Sequence, residues 1–272
     1  MANAKTIFIT GAASGLGREV ARFFARKGWF IGLADVNKQG LDETAAMLPA
    51  GMWSIHQLDV VDRAQWKQVI SDFAAAGGGK LDVLFNNAGI GAGGPIQDMT
   101  DEDIDRMIAI NLTGVINGIR AGYDLLAATP GSCILNTSSA AGIYGSAGLS
   151  VYSATKFAVR GLTEAHDIEM RPAGIKSRSL MPGFIDTNII SAVQDGTNMS
   201  GKEKLLAAGI EVSPVEIIGQ AAWDAVHGDK VHTTVNKTAK QLAFAARWFP
   251  GRLRKRMLGL TEGLGTTVSS PN

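Results

Sequence analysis

Short β-branched or apolar runs alternate along this chain with longer segments of helical period, and this alternation constrains the fold more than any other feature. Strands are expected near Thr6–Ile9, Phe30–Ala34, Trp53–Leu58, Val83–Asn86, Cys133–Thr137, Lys176–Leu180 and Val231–Val235. Between them, helices are expected near Leu16–Lys27, Gly40–Leu48, Arg63–Ala75, Asp101–Ala127, Tyr152–Arg171 and Val215–His227. Strand, helix and strand repeated in this order require parallel neighbours joined by right-handed crossovers, with helices on both faces. The expected fold is therefore α/β, a doubly wound parallel sheet of about seven strands. With 272 residues, 46% of them hydrophobic, the chain can fill one such domain from 1 to 272.

Composition narrows the function classes. No stretch approaches the ~18 apolar residues of a membrane span, and the start lacks a signal peptide's apolar core. Cys133 is the only cysteine, which points to a reducing cytoplasm and, within S-C-I-L-N, to a small buried residue. The four histidines, His56, His166, His227 and His232, lack metal-ligand spacing, so no metal site is expected. A net charge of +1 gives no general signal for nucleic acid, and none is expected as a partner. The charge is unevenly placed, however: Lys230 to Thr261 holds eight basic residues and no acid.

In such sheets ligands bind beyond the C-terminal strand ends, so the residues just after each strand carry the functional argument. The first strand runs into T-G-A-A-S-G-L-G, where Gly11, Gly15 and Gly17 permit a tight turn and close approach of a phosphate to backbone N–H groups. The second ends at Asp35, placed to bond ribose hydroxyls, or to be a solvated loop carboxylate. Asp59 in Q-L-D-V suits the adenine end of the same ligand or a helix cap. N-N-A-G at 86–89 reads as a cofactor floor or a plain turn. Asn111 is a poor helix former inside a helical segment, and N-T-S-S-A-A-G supplies Ser138 and Ser139 without a G-x-S-x-G elbow. Y-S-A-T-K places Tyr152 and Lys156 one helical turn apart.

Taken together and in order, T-G-A-A-S-G-L-G, N-N-A-G, Asn111, S-S-A-A-G, Y-S-A-T-K and M-P-G-F-I-D-T resemble the single-domain branch of the short-chain dehydrogenase/reductase family, over roughly Lys5 to Trp223. The resemblance implies a Rossmann-type fold and hydride transfer between NAD(H) and a small secondary alcohol or ketone. It assigns Tyr152 as acid/base, Lys156 as its partner, Ser139 as the substrate-orienting hydroxyl and Asn111 as the amide holding a relay water. Cofactor contacts are expected from Gly11, Ser14, Gly15, Leu16, Gly17, Asp35, Asp59, Val60, Asn87, Ala88, Gly89, Tyr152, Lys156, Pro182, Gly183 and Thr187. A neighbouring ammonium and the charge of the oxidised cofactor are expected to lower the tyrosine pKa. The resemblance also implies a homo-oligomer, with the segments Asp101–Ala127 and Tyr152–Arg171 as candidate interfaces.

NAD is expected over NADP, because Asp35 would repel a 2′-phosphate, although Lys38 and Arg18 lie near enough in sequence to oppose that choice. The rival readings are an NADP-preferring carbonyl reductase and a regulator that senses NAD(H) without turnover. The weakly periodic stretch from 185 to 210 reads as a mobile substrate loop. The basic extension from 236 to 272, with Trp248, Phe249, Leu253, Met257 and Leu258, reads as a packed helix, a lid, a subunit contact or a membrane-surface anchor.

Overall fold

The expected strands all form. β1 (Thr6–Thr10), β2 (Phe30–Asp35), β3 (Trp53–Gln57), β4 (Val83–Asn86), β5 (Cys133–Thr137), β6 (Lys176–Pro182) and β7 (His232–Val235) make one sheet in the computed structural model, which describes residues 4–187, 201–207 and 209–263. Every neighbouring pair is parallel, and the order across the sheet is β3-β2-β1-β4-β5-β6-β7. The chain winds outward from β1 through β3, then returns to lay β4 on the other side of β1. The C-terminal ends of β1 and β4 therefore border the point where strand order reverses.

Alternation within the strands builds two separate cores. Ile7 and Ile9, Ile31 and Leu33, and Val83 and Phe85 face one side, where α1 (Gly15–Arg26), α2 (Lys38–Ala46) and α8 (Ile217–His227) contribute Phe24, Leu41 and Ile218. Phe8, Phe30 and Leu84 face the other, against Trp66 and Phe73 of α3 (Arg63–Ala76), Val115 and Ile119 of α5 (Gly114–Ala127) and Val159 of α6 (Ser150–Glu169). Cys133 points into the first core, where burial pushes its thiol up to about 12 and keeps it a small inert apolar group.

Helix starts follow local chemistry. Asn37 accepts from the N–H of Gly40, so α2 begins at Lys38, two residues before the expected start, and ends at Ala46. Asp62, not Asp59, caps α3 through the N–H groups of Ala64 and Gln65. Asp59 instead accepts from the N–H of Val61 at 3.0 Å and fixes the turn before the helix.

The expected single helix from Asp101 to Ala127 is a correction. It divides into α4 (Asp101–Ile108) and α5, joined by a π-helical turn over Ala109–Thr113. The cause is the buried side chain of Asn111, which bonds outside the helix and so sets the backbone around it.

Two later expectations fall partly outside the described residues, at 188–200 and 208 for the substrate loop and at 264–272 for the basic extension. What is described of the first includes a short helix, α7 (Gly201–Ala207). The second begins with two helices, α9 (Asn236–Trp248) and α10 (Pro250–Gly263). No helix among the described residues is long and apolar enough to cross a membrane.

Phe73 is fully buried, with ring centroids 5.2 Å from Phe8 and 6.0 Å from Phe30. Phe73→Ala should destabilise the fold by about 3–5 kcal/mol, read as a lower urea midpoint. Cofactor binding by the folded fraction should be unchanged, because the cavity lies away from the strand reversal.

Candidate active site

Thr10, the last residue of β1, ties the reversal point together. Its hydroxyl accepts from the N–H groups of Asn87 and Ala88, both at 3.0 Å, just past the end of β4. Asn87 returns the contact, donating from Nδ2 to the Thr10 carbonyl at 3.0 Å, while its Oδ1 accepts from Thr137 at the end of β5. Three strand ends are thereby held in one rigid rim. The sequence reading missed Thr10 and Thr137; the available signal was a threonine as the last residue of a strand entering a loop already under suspicion.

The glycine turn fits a phosphate group. Gly11 and Gly15 adopt φ of +68° and +52°, a backbone region that residues with a Cβ rarely enter. At Gly17 a Cβ would lie 2.2 Å from the Gly11 carbonyl, so the turn closes only with glycine there. Ser14 occupies the cap position of α1 but makes no capping bond, and the first turn carries no acid. The helix therefore keeps its N-terminal N–H donors and positive dipole end for an anion. Leu16 opens this turn of helix, and Thr187 lies over it, with its methyl 3.5 Å from the position of a Gly15 Cβ.

Asp35 ends β2 half-buried, its carboxylate oriented by the N–H of Ala13 at 3.2 Å and of Asn37 at 3.0 Å. The nearby cations are engaged elsewhere. Arg18 binds Glu43, Thr44 and the carbonyls of Ala13 and Gly40, and Lys38 pairs with Asp42 at 2.8 Å. Along the same edge, Asp59 is exposed and Val60 is buried, with the Val60 carbonyl held by Trp66 and Asn117.

Lys156 is 3% exposed, and its ammonium reaches from α6 to the Thr137 carbonyl at 3.0 Å. The Lys156 Nζ lies 5.5 Å from the centroid of the Tyr152 ring and 3.5 Å from where a Cβ on Gly89 would stand. Burial lowers its pKa to about 8, so the ammonium is still the main form at neutral pH. Between about 8 and the ordinary lysine value of 10.5 the unfolded chain holds this proton and the folded chain does not. Stability should rise with pH across that window.

Tyr152 lies in the first turn of α6 and is half-buried. Its phenol pKa is raised, chiefly by burial, while a hydrogen bond with Ser139 works the other way, so the phenol is protonated at neutral pH. The two serines divide their work: Ser138 is fully buried and donates to the Lys156 carbonyl at 2.9 Å, fastening α6 to β5. Ser139 faces the cleft, accepting from the Ala141 N–H as well as meeting Tyr152.

Asn111 is fully buried. Its Oδ1 accepts from the Ile90 N–H at 2.8 Å, and its Nδ2 donates to the Ile90 carbonyl and to Thr155. Both amide donors are therefore spent on locking the N-N-A-G loop to α6. Pro182 ends β6, and Gly183 packs so closely on Asn236 that a Cβ would lie 2.7 Å from Oδ1. Asn236 itself has φ +72° and caps α9 through the Ala239 N–H, a role the sequence did not disclose. Among the described residues, no group of three His, Cys, Asp or Glu side chains lies close enough to hold a metal ion.

Comparison with known proteins agrees with this geometry. The family model described as short chain dehydrogenase matches residues 5–198. "Probable oxidoreductase EphD" of Mycobacterium tuberculosis is 36% identical over 202 residues, 73% of this chain, which spans about a third (34%) of that protein's length. The meso-2,3-butanediol dehydrogenase of Serratia marcescens is 31% identical over 219 residues, covering 80% of this chain and 86% of that one. A crystal structure of a short chain dehydrogenase/reductase from Burkholderia phymatum in complex with NAD superposes with a TM-score of 0.80 at 26% identity, covering 94% of this chain and 96% of that one. With its glycine turn, strand-end rim and Tyr152–Lys156 helix in place, this chain belongs to the short-chain dehydrogenase/reductase family of oxidoreductases.

Proposed function

We propose that the protein is an NAD(H)-dependent oxidoreductase of secondary alcohols and ketones, with Tyr152 as the acid/base. The observation that carries this reading is the convergence of Ser139, Tyr152 and the buried Lys156 ammonium beside the glycine turn. A regulator that only senses NAD(H) has no use for a buried ammonium held next to a phenol, since burying it costs stability.

The groups around the cleft fit a dinucleotide. Gly11, Ser14, Gly15, Leu16 and Gly17 would take the pyrophosphate, Asp35 the adenosine ribose, and Asp59 and Val60 the adenine end. Asn87, Ala88 and Gly89 would form the floor, with Lys156 near the second ribose, and Pro182, Gly183 and Thr187 would cover the reactive ring. When bound, the nicotinamide supplies the hydride acceptor or donor.

The chain's own residues handle the proton. In ketone reduction, Tyr152 donates its phenolic proton to the carbonyl oxygen, and Ser139 orients that oxygen by a hydrogen bond. The phenolate left behind is stabilised by Ser139 and by the Lys156 ammonium. In alcohol oxidation the hydroxyl proton returns to Tyr152 as hydride leaves the same carbon. Asn111 acts at one remove, by fixing the Ile90 backbone and Thr155. A raised phenol pKa favours the donor form, and positive charge from an oxidised ring would act in the opposite sense.

NAD is the preferred cofactor in this reading, because Asp35 is fixed by two backbone N–H groups while Arg18 and Lys38 are occupied by other carboxylates. The substrate is a small, mainly apolar carbonyl compound. Self-association through α4–α6 is supported by the exposed apolar side chains Ile108, Tyr123, Phe157 and Ile168 on those helices. A reducing cytoplasm suits a chain with one buried cysteine.

Tyr152→Phe should lower kcat about 10²–10⁴-fold while NADH binding, read by fluorescence, survives. Tight NADH binding with no wild-type turnover across a panel of secondary alcohols and ketones would instead establish the sensor.

The kcat/KM for ketone reduction should fall as pH rises through about 8, where Lys156 loses its proton. In Lys156→Met that limb should disappear, and an unchanged profile would remove the lysine from the mechanism.

Asp35→Ala should move the NAD:NADP ratio of kcat/KM roughly tenfold toward NADP, equivalent to about 1.4 kcal/mol. A wild type that already favours NADP would overturn the cofactor reading.

A further inference from the structure

The last two helices carry a surface that the proposed reaction does not use. On α9, Lys237, Lys240, Gln241, Phe244, Arg247 and Trp248 fall at three- and four-residue spacing, and all are exposed on one face. Ala239 on the opposite face is fully buried. Phe244 and Trp248 are 60% and 61% exposed, and Phe249 at the corner before α10 is also exposed, with its ring 5.9 Å from that of Phe244. Along α10, Leu253 is buried, while Arg252, Arg254, Lys255 and Arg256 are exposed. None of the seven cations from Lys237 to Arg256 has a carboxylate within ion-pair distance among the described residues. Glu211, beside the start of α9, bonds Thr238 rather than a lysine.

Exposed aromatic rings beside cations that have no carboxylate partner among the described residues match one kind of partner. We propose that α9 and α10 dock the protein in the plane of an anionic lipid surface, with Phe244, Trp248 and Phe249 entering the headgroup boundary and the arginines and lysines meeting lipid phosphates. Arg247 lies over the Trp248 ring at 5.4 Å and Arg252 over Phe249 at 5.5 Å, so each ring enters with a cation beside it. The same contacts argue against nucleic acid, because one face on which a base would stack is already covered on both rings. A second copy of this chain is also disfavoured, since a two-fold contact would set the same cations against each other.

The surface joins the rest of the molecule at a telling place. α9 starts at Asn236, which packs on Gly183, so a lipid-docked helix would adjoin the segment that covers the cleft. The proposal does not depend on turnover and can fail or stand independently of the reaction assigned above.

The test is sedimentation of the full chain with phosphatidylcholine vesicles, with and without about 30% phosphatidylserine, at ~0.1 M and ~0.5 M salt. Binding should require the anionic lipid and fall sharply at the higher salt. Phe244→Ser/Trp248→Ser and, separately, Arg254→Glu/Arg256→Glu should each weaken it at least about tenfold. Circular dichroism and NADH binding should match the wild type, since all four positions are exposed and away from the cleft. No binding, equal binding to neutral and anionic vesicles, or wild-type binding by both variants would overturn the proposal. So would a drop in solution mass in Phe244→Ser/Trp248→Ser, which would make the face a contact between copies, or displacement of bound protein from vesicles by RNA with tighter affinity for the RNA.

Discussion

The hydroxyl of Thr10 is the interaction on which the site depends. A doubly wound sheet leaves a gap where its strand order reverses, and the loops leaving β1 and β4 would otherwise separate there. One hydroxyl accepting from two consecutive N–H groups, with Asn87 donating back, closes that gap at distances of 3.0 Å. Because Asn87 also accepts from Thr137, the same few bonds fix β5, and β5 receives the Lys156 ammonium. The glycine turn, the 86–89 loop and the helix of Tyr152 and Lys156 are thus joined in one unit.

Within that unit, desolvation sets the electrostatics of Lys156 and Tyr152. Lys156 and Tyr152 each give up some of their charged form to burial, the lysine pKa moving down and the tyrosine pKa moving up. Attraction between an ammonium and a phenolate would move both the other way. At neutral pH the pair is a protonated phenol beside an ammonium. His56 makes a useful contrast: burial lowers its pKa to about 4, yet it lies in the edge strand β3, away from the strand reversal, among Phe8 and Phe73, and bonds Ser54. Perturbation alone does not mark a site; perturbation at the strand reversal does.

Charge is segregated along the molecule in a way that separates chemistry from surface contact. The cleft carries a few fixed groups, each with a named partner, whereas the exposed cations of α9 and α10 have no carboxylate partner among the described residues. That difference gives the C-terminal helices a role of their own, although their first residue, Asn236, reaches the edge of the cleft through Gly183.

The alternation of apolar runs and helical segments determined the parallel sheet, and strand-end positions determined that Gly11, Asp35, Asn87 and Ser139 would lie along one edge, because a doubly wound topology brings those ends to one edge. Spacing also made Tyr152 and Lys156 neighbours on one helix. What the sequence could not determine were the partners of each group, since those come from residues far away in the chain. Only the tertiary structure decided that Asn111 opens a π-turn and spends its amide on Ile90, that Arg18 and Lys38 are occupied beside Asp35, and that Asp62 rather than Asp59 caps α3. Burial likewise fixed the direction of the Tyr152 shift, because desolvation depends on what surrounds a group in space and local sequence does not contain that information.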